Sequence, residues 1–279
     1  MKYMAGLPPA AVLLIVVGQS LALSGCSSRQ AFSPAAAPPA ATPDAPALVV
    51  SSDISGAVQA PDRTSDDRAL DAGRHPGQTL AFFGIARGQR VAELGAGLGY
   101  TSELLARVVG LTGAVYAQNS SFVLQRFAEG PWTERLSKPV MKPVIRIDRE
   151  FDDPLPPEAK DLDAVLMVLV YHDTVWFGTD RHRMNRAVFA ALKPGGIYGI
   201  VDHAAAEGAG TSVAKTLHRI EEGVVLKEVE QAGFELDGEA DFLKNSEDKH
   251  DWNASPKAAG ARRGTSDRFV LRFRKPLRD

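Results

Sequence analysis

The side chains best suited to acid–base work in this chain fall in two places, Tyr171-His172-Asp173 and Asp202-His203. Histidine ordinarily titrates at about 6.5, nearer neutrality than any other side chain. Beside a carboxylate it can take a proton from a hydroxyl as a general base. His172 steered by Asp173 is therefore the expected centre of any catalysis, with Tyr171 and His203 next to it. A third feature suits binding: Glu93-Leu94-Gly95-Ala96-Gly97-Leu98-Gly99-Tyr100. Glycines let the backbone approach a ligand closely, and a helix starting at such a loop presents unpaired N–H groups. A dinucleotide fingerprint, G-x-G-x-x-G, would place its third glycine at position 100. Tyr100 stands there instead, which argues against a nicotinamide enzyme.

These groups can cooperate only if the fold brings them together. Residues 90–94 (RVAEL) read as a buried first strand, and 100–109 (YTSELLARVV) as a helix capped by Thr101 or Ser102 and stopped by Gly110. Strands follow at 114–117 and 144–147. The apolar run 162–170 (LDAVLMVLV), interrupted only by Asp163, predicts burial on both faces, as at the centre of a parallel sheet. A helix over 181–192, a turn at Pro194-Gly195-Gly196, a fifth strand at 197–201 and a long helix over 213–232 come next. Apolar stretches at 234–236 and 269–273 close the sheet, with an antiparallel strand near the C-terminus. Alternating strands and helices predict a doubly wound, mostly parallel α/β fold. Ligands of such folds bind at the carboxyl ends of the strands, where the glycine loop and Tyr171-His172-Asp173 both fall.

The strand–loop–helix pattern E-x-G-x-G-x-G resembles motif I of class I S-adenosylmethionine-dependent methyltransferases, and Leu192-Lys193-Pro194-Gly195-Gly196 resembles the turn before their fifth strand. A closer resemblance, to exported bacterial predicted methyltransferases of lipoprotein type, runs from about Thr64 to Pro276. It is carried by Asp71-Ala72-Gly73-Arg74-His75-Pro76, the Gly99-Tyr100-Thr101 helix start, Val115-Tyr116-Ala117-Gln118-Asn119, Tyr171-His172-Asp173, Val201-Asp202-His203, Leu217-His218-Arg219-Ile220 and the terminal run 269–276 (FVLRFRKP). The resemblance implies a Rossmann-like class I methyltransferase sheet and S-adenosylmethionine as cofactor, held by Glu93, Gly95, Gly97, Gly99 and Tyr100. Asn119 stands where this fold usually sets an acidic residue against the ribose hydroxyls, a departure that removes charge assistance. Asp148 stands where such enzymes often meet the adenine, and reads equally well as a solvated turn residue.

In these enzymes the end of the fourth strand faces the departing methyl group. The chain lacks the Asn/Asp-Pro-Pro-Tyr/Phe sequence that many amine methyltransferases carry there, so transfer to oxygen is expected over transfer to nitrogen. Asp173 and Asp202 fall where catechol-type enzymes hold Mg²⁺, but the ligand set is incomplete by sequence and no metal is expected. His218 and Arg219 read as partners of Glu221 or Glu222 in a surface salt bridge, or as holders of an anionic substrate group. Trp132 and Trp176 suit a pocket lining or plain packing.

The chain has 279 residues, 44% hydrophobic and 24% charged, an ordinary globular balance. Lys and Arg number 32 against 34 Asp and Glu, so no basic excess marks it for nucleic acid. The single cysteine, Cys26, excludes an intramolecular disulfide framework. It follows Leu23-Ser24-Gly25 and an apolar segment, 11–23, that is short for a bilayer span. This arrangement resembles the lipobox of bacterial lipoproteins. The expected organisation is a signal peptide over 1–25, a lipidated Cys26 with an Ala/Pro-rich tether to 63, and the methyltransferase domain over 64–279. The expected location is the cell envelope, anchored in the membrane through Cys26. Neutral Ser27 favours the periplasmic face of the outer membrane. Methyl transfer to a small-molecule or envelope acceptor is the expected activity. The other reading is a lipoprotein that binds S-adenosylmethionine or a nucleoside without catalysis.

Overall fold

The computed structural model of the protein describes residues 48–277. Cys26, the signal peptide and the tether as far as residue 47 lie outside the described residues. Among the described residues no helix is long and apolar enough to cross a membrane.

Three short helices lead in: α1 (Ser52–Gln59), α2 (Ser65–Arg74) and α3 (Pro76–Phe82). Folded structure thus begins before the expected Thr64. Ser51 caps α1, and Ile54 and Ala57 are buried in the core. Two apolar residues one turn apart are too few to register as periodicity. Then follow β1 (Arg90–Leu94), α4 (Tyr100–Val109), β2 (Ala114–Asn119), α5 (Ser121–Val123), α6 (Glu129–Leu136), β3 (Val144–Asp148) and β4 (Leu162–Val168). The second half comprises α7 (Asp173–Trp176), α8 (Arg181–Ala191), β5 (Leu192–His203), α9 (Ala214–Leu217), α10 (Glu222–Glu230), β6 (Glu235–Ala240) and β7 (Arg268–Arg274).

The seven strands lie in the order β3-β2-β1-β4-β5-β7-β6. The first five are parallel, and β7 runs antiparallel to both β5 and β6. This is the expected doubly wound sheet with its antiparallel C-terminal strand. Strand order reverses between β1 and β4, the switch point at which ligands of such sheets bind. Alternate residues of β4 feed two cores. Ala164 and Leu166 join the α4 side with Leu104, Leu105 and Val108, while Leu162, Val165 and Met167 join the α8 and α10 side with Met184, Val188 and Val225.

Three local expectations change. The helix cap before α4 is Gly99 at φ +85°, not Thr101 or Ser102. A Cβ on Gly99 would lie 2.3 Å from Trp132, so Trp132 is a core residue packed beneath the loop. β4 stops at Val168, because Leu169 turns to φ +59° and donates its N–H to the Val201 carbonyl at 2.7 Å. The long helix over 213–232 is two helices, interrupted where His218 takes φ +50° and Ile220 bridges to Ala204.

One buried ion cluster ties the leading helices to this sheet. Arg135 reaches Asp67 on α2 and Glu103 on α4, both at 2.6 Å, and Lys138 and Arg107 also pair with Glu103. The Glu103 side chain is only 2% exposed. Removing one member of a buried pair strands the other charge, at a cost of about 3–5 kcal/mol. Arg135→Ala is accordingly expected to lower stability by an amount of that order in chemical denaturation. A loss below about 1 kcal/mol would mean the cluster is solvated and does not hold α2 in place.

Candidate functional site

The glycine loop hangs from the end of β1 and is fixed from β2. Gln118 accepts the Gly95 N–H at 2.9 Å through its side chain and the Ala96 N–H at 2.9 Å through its carbonyl. Asn119 accepts the Gly97 N–H at 2.8 Å and donates back to the Gly97 carbonyl at 3.1 Å. Both amides are fully buried, so Asn119 is a brace for the loop and does not present a free side chain to a ribose. A carboxylate past the end of β2 is held by Ser121, two residues after Asn119. Glu150, just beyond β3, is exposed and accepts from the N–H and hydroxyl of Ser121.

All three loop glycines have positive φ, where side chains are strained. They differ in what surrounds them. A Cβ on Gly95 would strike Val170, and one on Gly99 would strike Trp132, but one on Gly97 meets nothing within 4 Å. Gly97 is therefore the point where the bare backbone faces open space.

Glu93 and Tyr100, expected to touch the cofactor, are enclosed. Glu93 is 3% exposed and accepts from the Ser102 hydroxyl, so Ser102 braces the β1 carboxylate instead of capping α4. Burial pushes the Glu93 carboxyl up to about 7, against these stabilising hydrogen bonds. The Tyr100 hydroxyl donates to Asp71 at 2.6 Å, and the Arg74 guanidinium stacks on its ring at 4.4 Å, so Tyr100 locks α4 to α2. Asp148 is half exposed and paired to Arg146 at 2.8 Å, the solvated reading.

At the neighbouring strand ends, four side chains converge. Asp202, at the end of β5 and fully buried, accepts the His172 N–H at 2.7 Å, the His172 ring Nδ1 at 2.6 Å and the His203 N–H at 2.8 Å. On its other side, His172 Nε2 lies 3.1 Å from Asp173 Oδ1 and 3.2 Å from His218 Nδ1. His218 Nδ1 is in turn 3.1 Å from Asp173 Oδ1. Trp176 donates its indole N–H to the same oxygen at 2.9 Å. The rings of Trp176, Phe122 and Phe177 form an aromatic rim that reaches from the β2 side of the crevice to the β4 side.

The electrostatics revise the expected roles. Burial alone would lower the His172 pKa, but Asp202 and Asp173 on either side raise it to about 10. The flanking carboxylates thus favour the protonated His172 ring, which works against its expected role as a base. Burial works the other way on Asp173, yet the His172 cation and His218 hold its carboxyl well below the usual range. His203 is no base either. Burial and the positive charges around it push its pKa well below the ordinary value, and its Nδ1 is bonded to Ser266 at 2.7 Å. Tyr171 turns away altogether. Its hydroxyl donates to Glu228 at 2.9 Å and accepts from Asn185 at 2.9 Å in the α8–α10 core.

His218 was not among the catalytic candidates in the sequence, yet it joins the cluster, while Arg219 is wholly buried. Arg219 donates to the Ala204 and Trp252 carbonyls and pairs with Asp248 at 2.8 Å. Neither forms the surface salt bridge with Glu221 or Glu222. The sequence marked His218 through the Leu217-His218-Arg219-Ile220 resemblance and as a holder of an anionic group, but its place in the cluster depends on a helix break.

No family model and no curated protein matches the chain. Solved structures do match it in fold. An S-adenosylmethionine-dependent methyltransferase from Aquifex aeolicus superposes with a TM-score of 0.53 at 18% identity, over 76% of this chain and 97% of that one. A Galdieria sulphuraria protein described as a sarcosine dimethylglycine methyltransferase gives 0.51 at 16%, over 76% and 85%. The [4+2]-cyclase SpnF gives 0.50 at 18%, over 76% and 81%. At these identities the likeness is one of fold: the sheet is the Rossmann-like methyltransferase sheet, which also carries a protein named for a cyclisation.

The enclosed Glu93 carboxyl has a consequence for pH. A carboxyl whose pKa is raised on folding stabilises the protein below the unfolded value, and that stabilisation is lost as pH rises to the folded value. Stability is expected to fall between about pH 4.5 and pH 7 by up to about 3 kcal/mol from this group. Glu93→Gln should flatten that part of the curve in pH-dependent denaturation. An unchanged slope in the variant would mean that Glu93 is solvated.

Proposed function

We propose that this chain is an S-adenosylmethionine-dependent methyltransferase that acts on a hydroxyl of a small-molecule or envelope acceptor. The observation that carries the reading is the placement of Gly97. Its backbone faces open space on a loop whose Gly95 abuts Val170, two residues before His172. A ligand lying along the loop would therefore end beside the histidine cluster. The exposed Glu150 carboxylate, held by Ser121 just past β2, would serve in place of the acidic residue that β2 lacks. The cofactor, when bound, supplies an electrophilic methyl group.

What remains for the chain is to orient the acceptor and receive its proton. The His172 side chain is 3% exposed and that of Asp202 is buried, so these two position their neighbours. The side chains of His218 and Asp173 are 23% and 21% exposed, and a substrate can reach them. His172 is enclosed between two carboxylates, which leaves the more accessible His218 imidazole to receive the hydroxyl proton.

Gly97→Val should weaken S-adenosylmethionine binding at least tenfold in calorimetry, and Glu150→Gln should weaken it by less. His218→Ala should keep that affinity and lose about 10²- to 10⁴-fold in turnover. Parent-like binding by Gly97→Val would refute the cofactor placement.

A second reading has one observation in its favour: the polar side chains of the crevice, His172, Asp173 and Asp202, are paired with one another. A binding protein that never transfers the methyl group would tolerate this. Radiolabelled donor offered with small phenols and envelope extracts separates the two readings. Transfer of label supports catalysis, and tight binding without transfer supports the binding protein.

The proposed setting is the envelope, with Cys26 carrying the lipid. Cys26→Ser should abolish labelling by a fatty-acid probe, and persistent labelling would overturn the anchor.

A further inference from the structure

We propose that His172 Nε2, His218 Nδ1 and Asp173 Oδ1 form a binding site for a divalent transition-metal ion of the zinc or iron(II) class, with Asp202 as its outer partner. The three donor atoms make a nearly equilateral triangle with edges of 3.1, 3.1 and 3.2 Å. Bonds of about 2.0–2.1 Å imply ligand–ligand edges of about 3.3 Å around a tetrahedral ion and about 3.0 Å on an octahedral face. The observed edges fall between these two. An ion could therefore bind about 1 Å above the triangle without the side chains moving apart.

The outer partner distinguishes this from a chance cluster. A histidine that ligates through one ring nitrogen almost always donates the other N–H to a carboxylate or carbonyl, which fixes the tautomer and aims the ring. His172 does so with Asp202 at 2.6 Å, and Asp202 is itself fully buried. Its remaining contacts, to the His172 and His203 backbone N–H groups, hold the carboxylate in place. Asp173 is steadied by the Trp176 indole. Two imidazoles and one carboxylate favour zinc, iron or a related metal over Mg²⁺, which prefers oxygen ligands. The Asp173–Asp202 pair that the sequence suggested for Mg²⁺ is not available, because both Asp202 oxygens are occupied by His172 and His203. The exposed sides of His218 and Asp173 leave the outer face of the triangle for water or a substrate oxygen. A hydroxyl on such an ion would ionise more readily than a free one.

The site shares His172, His218 and Asp173 with the methyl-transfer reading, and the ion would take the place of the proton on His172 Nε2, but its test needs no methyl donor. Metal-free protein is titrated with Co²⁺ while the visible absorption of the ligated ion is recorded. One equivalent per chain is expected. His218→Ala and Asp173→Asn should each weaken binding at least tenfold, and Asp202→Asn about 10- to 100-fold as an outer-partner change. His218 is half-buried, so its variant should keep the parent circular dichroism. His250, paired with Asp267 at 2.9 Å elsewhere, provides a control: His250→Ala should bind Co²⁺ like the parent. Absence of ligand-field bands in the parent, or undiminished binding by folded His218→Ala, would overturn the proposal.

Discussion

The buried Asp202 carboxylate is the constraint on which the candidate site depends. A charge with no water around it must be paired and hydrogen-bonded, or it neutralises. Asp202 meets that requirement with two backbone N–H groups and one imidazole ring, all within 2.8 Å. The backbone contacts tie the end of β5 to the turn after β4. The ring contact fixes which nitrogen of His172 faces inward and which faces Asp173 and His218. Whatever chemistry the crevice performs, the geometry of its outer residues is set from beneath by this carboxylate.

The glycine loop is held by the same strategy on the opposite side of the switch point. Gln118 and Asn119 use side-chain amides as if they were extra backbone, bonding the N–H groups of Gly95 and Gly97. A loop with three positive-φ glycines loses much conformational entropy on folding, and these bonds offset part of that loss. Rigidity here comes at the expense of a free side chain at the end of β2. Beneath the loop, Trp132 fills the space that the missing Gly99 side chain leaves, and the Arg135 cluster clamps α2 over both. Preorganisation of the loop therefore depends on packing and ion pairs some distance from the crevice.

Much of the fold was legible in the sequence because its signals are local. The period of α4, the apolar run of β4 and the glycines after β1 each report on a few neighbouring residues. The site was legible as a place more than as a set of roles. Tyr171, His172 and Asp173 are adjacent in sequence, but they lie beyond β4 in the tight turn that enters α7, where neighbouring side chains point apart. Tyr171 consequently joins Glu228 and Asn185 on one side, and His172 joins Asp202 on the other. The proton affinity of His172 could not be read from its nearest neighbour, because Asp202 lies 30 residues away. Likewise, the break that releases His218 into the cluster comes with the burial of Arg219, whose partners Ala204, Asp248 and Trp252 are remote in sequence. Long-range charge pairing, invisible to periodicity, decided each of these cases.

We propose that one crevice, between the glycine loop and the histidine cluster, receives the ligand. Hydrogen–deuterium exchange of the protein with and without S-adenosylhomocysteine tests it most directly. Slowed exchange is expected only in residues 95–99, 120–123 and 170–176, the loop and the two strand ends that flank it. Unchanged exchange in those segments, or protection concentrated instead on the flank of α8 and α10 around Arg181 and Glu228, would contradict it.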